Sequence, residues 1–344
     1  MSLMRSAFEP LLNNLNGEFD PPDDWQPMLQ LASNSLTIGS LAAAMLKRPE
    51  AAEVPDEVRE LFEDVLKRTK KRNRRLKAQC LELLPALNGI GVQPIVMRGM
   101  ASLLGSRPDP GRLLSDIDLL VPAHSRQACI DVMRSMGYQL FQGFHGSPFS
   151  AVLGRSSDVG MVDLHTDIQP YVLNVNYDRV APLCRPKQLP AGEVYLPSPT
   201  ASLLLLILHD QLHDADYWRG LIDVRHLVET PRLVRGRIDW ETLAGFFPEG
   251  AARNAMRMHL RTAKSLLHLD IPEEYCGETW IRLQLKRRKL QLRLPALMPL
   301  FTFLTAFFDR PLRAAKNHPP KRSSTRTFQF KLERALRPVN AGKI

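Results

Sequence analysis

The stretch VMRGMASLLGSRPDPGRLLSDIDLLV, residues 96–121, decides the fold class. It opens on the end of a β-branched run, Gln93 to Met97, closed by Gly99, which reads as a buried strand entering a tight turn. It ends on DIDLLV, Asp116 to Val121, a second strand with a polar start and an apolar end. Further along, Ser125 to Met136 reads as a helix stopped at Gly137. Tyr138 to Phe141, Phe149 to Leu153 and Gly160 to His165 read as more strands, so residues 90–166 carry the alternation of a small α/β unit. Upstream, Pro27 to Lys47 and Pro55 to Leu87 space their apolar residues by three and four, as helices do. From Pro197 the strands largely stop: TASLLLLILHDQLH takes Ser198 or Thr200 as its cap and runs to His213, and further helices cover Trp218–Glu229, Trp240–Phe247 and Ala251–Leu269. The expected architecture is α+β: an N-terminal helical region over 1–78, a small mixed-sheet core over 79–196, a C-terminal helical domain over 197–280, and a basic tail over 281–344.

With 344 residues, 44% hydrophobic and 24% charged, the chain has the balance of an ordered globular protein and not of a disordered one. Cys80, Cys129, Cys184 and Cys276 lie far apart in sequence, so no CxxC pair marks a zinc knuckle or redox site, and reduced buried thiols are expected. Arg5, Glu9 and Asn13 break up the first apolar residues, which argues against a secretory signal and for a cytoplasmic location. The net charge of +10 is unevenly spread: residues 281–344 hold 16 Lys and Arg against Asp309 and Glu333, while the first 280 carry 30 cations against 34 acids. In the tail, cations flank the apolar run Leu294–Phe308, which Pro295 and Pro299 interrupt. The expected reading is a core-packing segment with solvated flanks; contact with an anionic membrane surface at the inner face is the alternative, and nucleic acid is disfavoured because few aromatics interleave with the cations. A second basic cluster, Lys67 to Lys77, falls within the helical pattern and is expected on its solvated face.

Asp116 and Asp118 are the most informative residues. Side chains at i and i+2 of a strand share a face, so two carboxylates project side by side and repel unless a cation lies between them. Oxygen ligands favour Mg2+ or Mn2+. The segment MVDLH supplies a third carboxylate, Asp163, on a neighbouring strand, with His165 on the same face. Asp116, Asp118 and Asp163 are therefore the expected metal-binding and catalytic triad, suited to in-line phosphoryl transfer. Gly99, between a buried strand and a helix, lets backbone amides approach a phosphate, and Ser102 adds a hydroxyl one turn later.

These residues carry a resemblance. VMRGMASLLGSRPDPGRLLSDIDLLVPAHSRQACIDVMRSMGYQL, then VDLHTDI, LLLLILHDQLH and LIDVRHLVE, is similar to the uncharacterised bacterial nucleotidyltransferase family of the DNA polymerase β-like superfamily, over roughly residues 80–230. The resemblance implies a polymerase β-like nucleotidyltransferase core. It also implies a reaction: transfer of a nucleoside monophosphate from a nucleoside triphosphate to an unidentified hydroxyl acceptor, with release of pyrophosphate. Arg98-Gly99 takes the family's Lys-Gly place, Arg112 its upstream Arg, Asp116 and Asp118 the metal pair, Asp163 and His165 the Asp-Leu-His, and His209, His213 and Asp223 its helical positions. Arg98, Gly99, Ser102 and Arg112 are thus expected at the nucleotide phosphates, and His165, His209, His213 and Asp223 at the substrate or bracing the ligands. Arg98 departs from the usual Lys, replacing a point cation by a planar fork.

Three rivals compete with this reading. HDQLH, residues 209–213, spaces two histidines as zinc proteases do, but with Asp for Glu and no third ligand at a recognised distance. A glycosyltransferase also uses Asp-x-Asp, yet needs a nucleotide-binding α/β half before it, where this chain reads as helical. A catalytically inactive nucleotidyltransferase fold, kept as a binding module at a partner or an anionic membrane, is the main alternative. His226 shows no partner pattern, and neither a GxxxxGK[ST] loop nor a GxGxxG fingerprint is present.

Overall fold

The computed structural model describes residues 2–105, 109–141, 149–168 and 173–309. The described chain forms two compact units, one drawn from residues 38–170 and 174–205, the other from residues up to 37, Leu173 and those from 206 onward. The N-terminal helices α1 (Ser2–Asn16) and α2 (Trp25–Asn34) therefore share a unit with the C-terminal helices. The helix expected over Pro27–Lys47 is two helices, broken where Leu36 takes a left-handed φ of 56°.

The sheet unit contains α3 (Ile38–Met45), α4 (Asp56–Gly89), β1 (Ile95–Val96), α5 (Arg98–Leu104), β2 (Ile117–Leu120), α6 (Arg126–Ser135), β3 (Gln139–Leu140), β4 (Ser150–Gly154), β5 (Val162–His165), α7 (Tyr177–Val180), β6 (Cys184–Leu189) and β7 (Gly192–Pro197). The strands form one mixed sheet in the order β3-β4-β5-β2-β1-β7-β6. β2 and β5 run parallel, as do β1 and β7, and the remaining neighbours are antiparallel. The β6–β7 hairpin went unread in the sequence because Pro186 and Pro197 disguise it; β6 is an edge strand, where a missing N–H costs no ladder bond.

α4 organises this unit. Its apolar residues Leu76, Cys80, Leu83, Leu84 and Leu87 recur at helical spacing and join Ile117, Leu119, Val162 and Leu164 in one core. The opposite face carries Lys67, Arg68, Lys70, Lys71, Arg74, Arg75 and Lys77, all exposed as expected of a solvated surface. Arg72 is the exception: its guanidinium donates to the carbonyls of Leu114 (2.8 Å) and Ser115 (3.0 Å). Asn73 donates to the Arg112 carbonyl (2.7 Å) and accepts from the Leu114 amide (3.2 Å), and Gln79 donates to the Gly160 carbonyl (2.9 Å). Polar side chains of one helix thus fix the segments leading into both β2 and β5. On the approach to β2, Gly111 faces Gly39 of α3 so closely that a Cβ on Gly111 would lie 2.0 Å from the Gly39 carbonyl oxygen.

The chain passes between units within α8 (Pro199–Ile207), where the Ser198 hydroxyl accepts from the Ala201 amide as the expected cap. The helical unit continues with a π-helical turn (Leu208–His213), α9 (Asp216–Arg219), α10 (Val224–Val234), α11 (Trp240–Gly245), α12 (Ala251–Leu267), α13 (Thr279–Arg293) and α14 (Met298–Phe308). α1 packs against α2, α10 and α13.

The run expected as core with solvated cationic flanks needs correction. Arg287 and Arg288 of α13 are buried: Arg287 donates to the carbonyls of Tyr217 and Trp218, and Arg288 to the Gln211 side chain (2.7 Å) and Thr262 (3.2 Å). A buried guanidinium can place its Nη donors on neutral oxygens, which a charge count along the chain does not reveal. Meanwhile Leu300, Phe303, Leu304, Phe307 and Phe308 of the apolar run are exposed on α14. The stretch from Arg310 onward lies outside the described residues. No helix among the described residues is long and apolar enough to cross a membrane.

Candidate functional site

β2 and β5 pair in parallel with Asp118 opposite Asp163 and Leu120 opposite His165. Ile117, Leu119, Val162 and Leu164 enter the core, so strand alternation turns Asp118, Asp163 and His165 to the other face. One ligand atom from each of these three lies within 4.8 Å of the other two. Asp116, expected as the first ligand, precedes β2, is half-buried and stands outside that group, although its charge is felt at Asp163.

The two central carboxylates differ in acidity. Burial alone would raise Asp118, which is 3% exposed, but the Arg98 guanidinium and His165 hold it below the usual carboxylate range. Arg98 Nη1 donates to Asp118 Oδ1 at 2.8 Å, and His165 Nε2 lies 3.4 Å from the same oxygen. Asp163 moves the opposite way: burial, then repulsion from Asp118, pushes it up to about 6, with a smaller push from Asp116. Carboxylate oxygens, a neighbouring imidazole and mutual repulsion form a donor set that suits a divalent cation such as Mg2+ or Mn2+.

Arg98 begins α5 with a left-handed φ of 49°, a conformation a non-glycine residue keeps only when its surroundings impose it. Gly99 is there for space: a Cβ would lie 2.1 Å from Leu114 Cδ2 and 3.5 Å from the Arg112 guanidinium carbon. Its lack of a side chain brings Arg112, itself buried, against the first turn of α5. Arg98, Gly99 and Arg112 therefore cluster, and Ser102 sits half-buried one turn along α5.

His209, His213 and Asp223 belong to the helical unit, where a different group forms. The residues that converge there are His209, Asp210 and His226, not the His209–His213 pair that the spacing offered. His213 stacks on His209, with ring centres 5.7 Å apart. Asp223 caps α10, accepting from the His226 amide. Burial would lower the His226 imidazole, but Asp210, with which its Nδ1 hydrogen-bonds, and Asp223 raise it to about 9. The sequence offered Asp210 only in the Glu place of HDQLH and gave His226 no partner; their pairing went unread because residue 210 lies in a π-helical turn, whose register helical spacing does not report.

A family model described as "Uncharacterised nucleotidyltransferase" matches residues 21–268, which is most of the chain. Among solved structures, an antigenic nucleotidyltransferase-like protein from Paracoccidioides brasiliensis is similar at 19% identity, covering 62% of this chain and 93% of that one, with a TM-score of 0.31. No protein of curated function matches the sequence.

Proposed function

The chain belongs to the uncharacterised nucleotidyltransferase family, and from that premise we propose that it transfers a nucleoside monophosphate from a nucleoside triphosphate to a hydroxyl acceptor, releasing pyrophosphate. The observation that carries this reading is the parallel register of Asp118 and Asp163, two carboxylates on one face with opposite shifts in acidity. In the reaction the acceptor oxygen bonds to the α-phosphorus as the bond from that phosphorus to the oxygen bridging to the β-phosphate breaks. Asp118, Asp163 and the nearby Asp116 would hold Mg2+ or Mn2+, which when bound neutralises phosphate charge and activates the acceptor oxygen. Burial and the Asp118 charge raise Asp163 to about 6 in the metal-free site, so cation uptake, which needs the ionised carboxylate, should rise with pH through that value. His165 steadies Asp118, while Arg98, Arg112 and the Ser102 hydroxyl receive the triphosphate, with Gly99 keeping Arg112 close. Peripheral contact of residues 281–344 with an anionic membrane is part of the proposal, supported by the exposed phenylalanines of α14 ahead of the basic stretch.

The test is incubation of the protein with each α-labelled nucleoside triphosphate and Mg2+ or Mn2+, together with protein, metabolite and RNA acceptors. Metal-dependent pyrophosphate release is expected, falling about 10²–10⁴-fold in Asp163→Asn. The labelled product identifies the acceptor class. Absence of both turnover and Mn2+ binding refutes the proposal. One observation favours a second reading, a nucleotide-binding module without turnover: the Arg98 guanidinium already occupies an oxygen of Asp118. Nucleotide bound but never cleaved is the outcome that selects it.

A further inference from the structure

The turn that ends the α8 segment is π-helical, with the Asp214 amide donating to the His209 carbonyl five residues back at 2.9 Å. Such turns are rare and concentrate where side chains must be re-aimed for a function. Here the result is a three-residue convergence. On a regular helix, neighbours in sequence diverge, yet His209 and Asp210 both meet His226 from α10, with one ligand atom of each within 4.8 Å of the others. Asp210 is 1% exposed, while His209 keeps part of its ring accessible, so the group has a buried floor and an open side.

The donor atoms face one another. His209 Nδ1 lies 3.5 Å from Asp210 Oδ1 and 3.9 Å from Asp214 Oδ2. His226 Nδ1 hydrogen-bonds to the same Asp210 oxygen and lies 3.6 Å from Asp223 Oδ2. Four-coordinate zinc with bonds of about 2.0–2.1 Å has ligand atoms about 3.3 Å apart, close to the His209–Asp210 separation. Two imidazole nitrogens with a carboxylate form a borderline donor set that selects transition cations over magnesium.

We propose that His209, Asp210 and His226 bind one divalent cation of the zinc class, with the fourth position filled by Asp214, Asp223 or water. The cation takes the place between Asp210 and His226 that the hydrogen bond now fills, and it ties the π-helical turn to α10. This is not the arrangement of an HExxH hydrolase, because the partner of His209 is His226 and not His213. The inference is independent of the proposed nucleotidyl transfer.

The test uses the full chain carrying Asp163→Asn, which removes the carboxylate pair of the sheet as a competing site. Bound zinc is measured by mass spectrometry after dialysis against Zn2+, and Co2+ is added as a spectroscopic probe. About one zinc per chain is expected, with Co2+ giving the visible absorption of a tetrahedral nitrogen–oxygen site. His209→Ala, a change at a partly exposed position that folding should tolerate, and Asp210→Asn are each expected to weaken binding at least 100-fold. His213→Ala should leave it within a few fold. The Asp163→Asn protein should lose thermal stability in EDTA, and the same protein carrying His209→Ala as well should not respond. Zinc below stoichiometry in the Asp163→Asn protein, or binding that survives His209→Ala, overturns the proposal. Loss of nucleotidyl transfer in Asp118→Ala with zinc retained would separate the two sites.

Discussion

Replacing Asp163 by Asn should stabilise the metal-free protein while lowering its proposed activity about 10²–10⁴-fold. The folded state holds the Asp163 carboxyl at about 6 against an ordinary 3.8, because of burial and the neighbouring Asp118 charge. Below 3.8 it is protonated folded or unfolded and contributes nothing. Between 3.8 and about 6 the folded protein keeps a proton that the unfolded chain releases, so stability falls as pH rises, and above 6 the full penalty is present. At about 1.36 kcal/mol per tenfold change in acidity, this gap corresponds to about 3 kcal/mol, and solvent screening of a partly buried group reduces it to about 1–2 kcal/mol. For a chain of 344 residues, that is a rise in Tm of about 1.5–3 °C for Asp163→Asn. The assay is thermal unfolding of both proteins in EDTA from pH 4 to pH 8, followed by a Mn2+ titration at pH 7.5. The variant should be the more stable at pH 7.5, the difference should vanish by about pH 4, and Mn2+ should favour wild type by about 2.7 kcal/mol at 100 times its Kd. A variant less stable at pH 7.5, a gap independent of pH, or equal stabilisation of both proteins by Mn2+ would refute the reasoning.

Asp118→Ala should act in the opposite sense: it strands the Arg98 guanidinium and costs about 1–3 kcal/mol by thermal unfolding in EDTA, alongside loss of Mn2+ binding. Gly111→Ala drives a Cβ against the Gly39 carbonyl oxygen, and since backbone faces backbone the strain should cost about 3 kcal/mol, read from the same melts. Arg288→Ala should destabilise by about 2–4 kcal/mol and Arg288→Met by less, because Met keeps the buried packing and loses the bonds to Gln211, Thr262 and the Asp216 carbonyl.

What the sequence disclosed and what it hid follow from the range of the interactions involved. The period of two around Asp118 and Asp163 is local, so the face shared by Asp163 and His165 could be read directly. The pairing that sets Asp118 beside Asp163 is parallel and joins strands separated by a helix and two other strands, so no local pattern carries its register. The solvated face of α4 was legible from its charge run, but Arg72 was not distinguishable from its neighbours until the Leu114 and Ser115 carbonyls came within reach. Arg287 and Arg288 misled for the same reason: their neutral partners Tyr217, Trp218 and Gln211 are remote in sequence. His226 had no visible partner because the π-helical turn places Asp210 where a regular helix would not.

The opposed acidities of Asp118 and Asp163 have one structural origin. Their Cα atoms are register partners, so the side chains cannot separate, and the Arg98 guanidinium bonds to Asp118. Arg98 reaches it from the first residue of α5, whose placement follows from the glycine at 99 packing against Leu114 and Arg112. Leu114 and Arg112 are in turn fixed by Asn73 of α4. Pairs of carboxylates driven apart in acidity divide their tasks, the lower remaining an ionised ligand and the higher exchanging protons. By that rule Asn73→Ala, which touches neither carboxylate, should loosen the Arg98–Asp118 pair and narrow the difference between the two. In the pH dependence of Mn2+ binding, the acidic limb set near 6 by Asp163 should then shift. A profile unchanged from wild type, in a variant that still folds, would sever α4 from the chemistry.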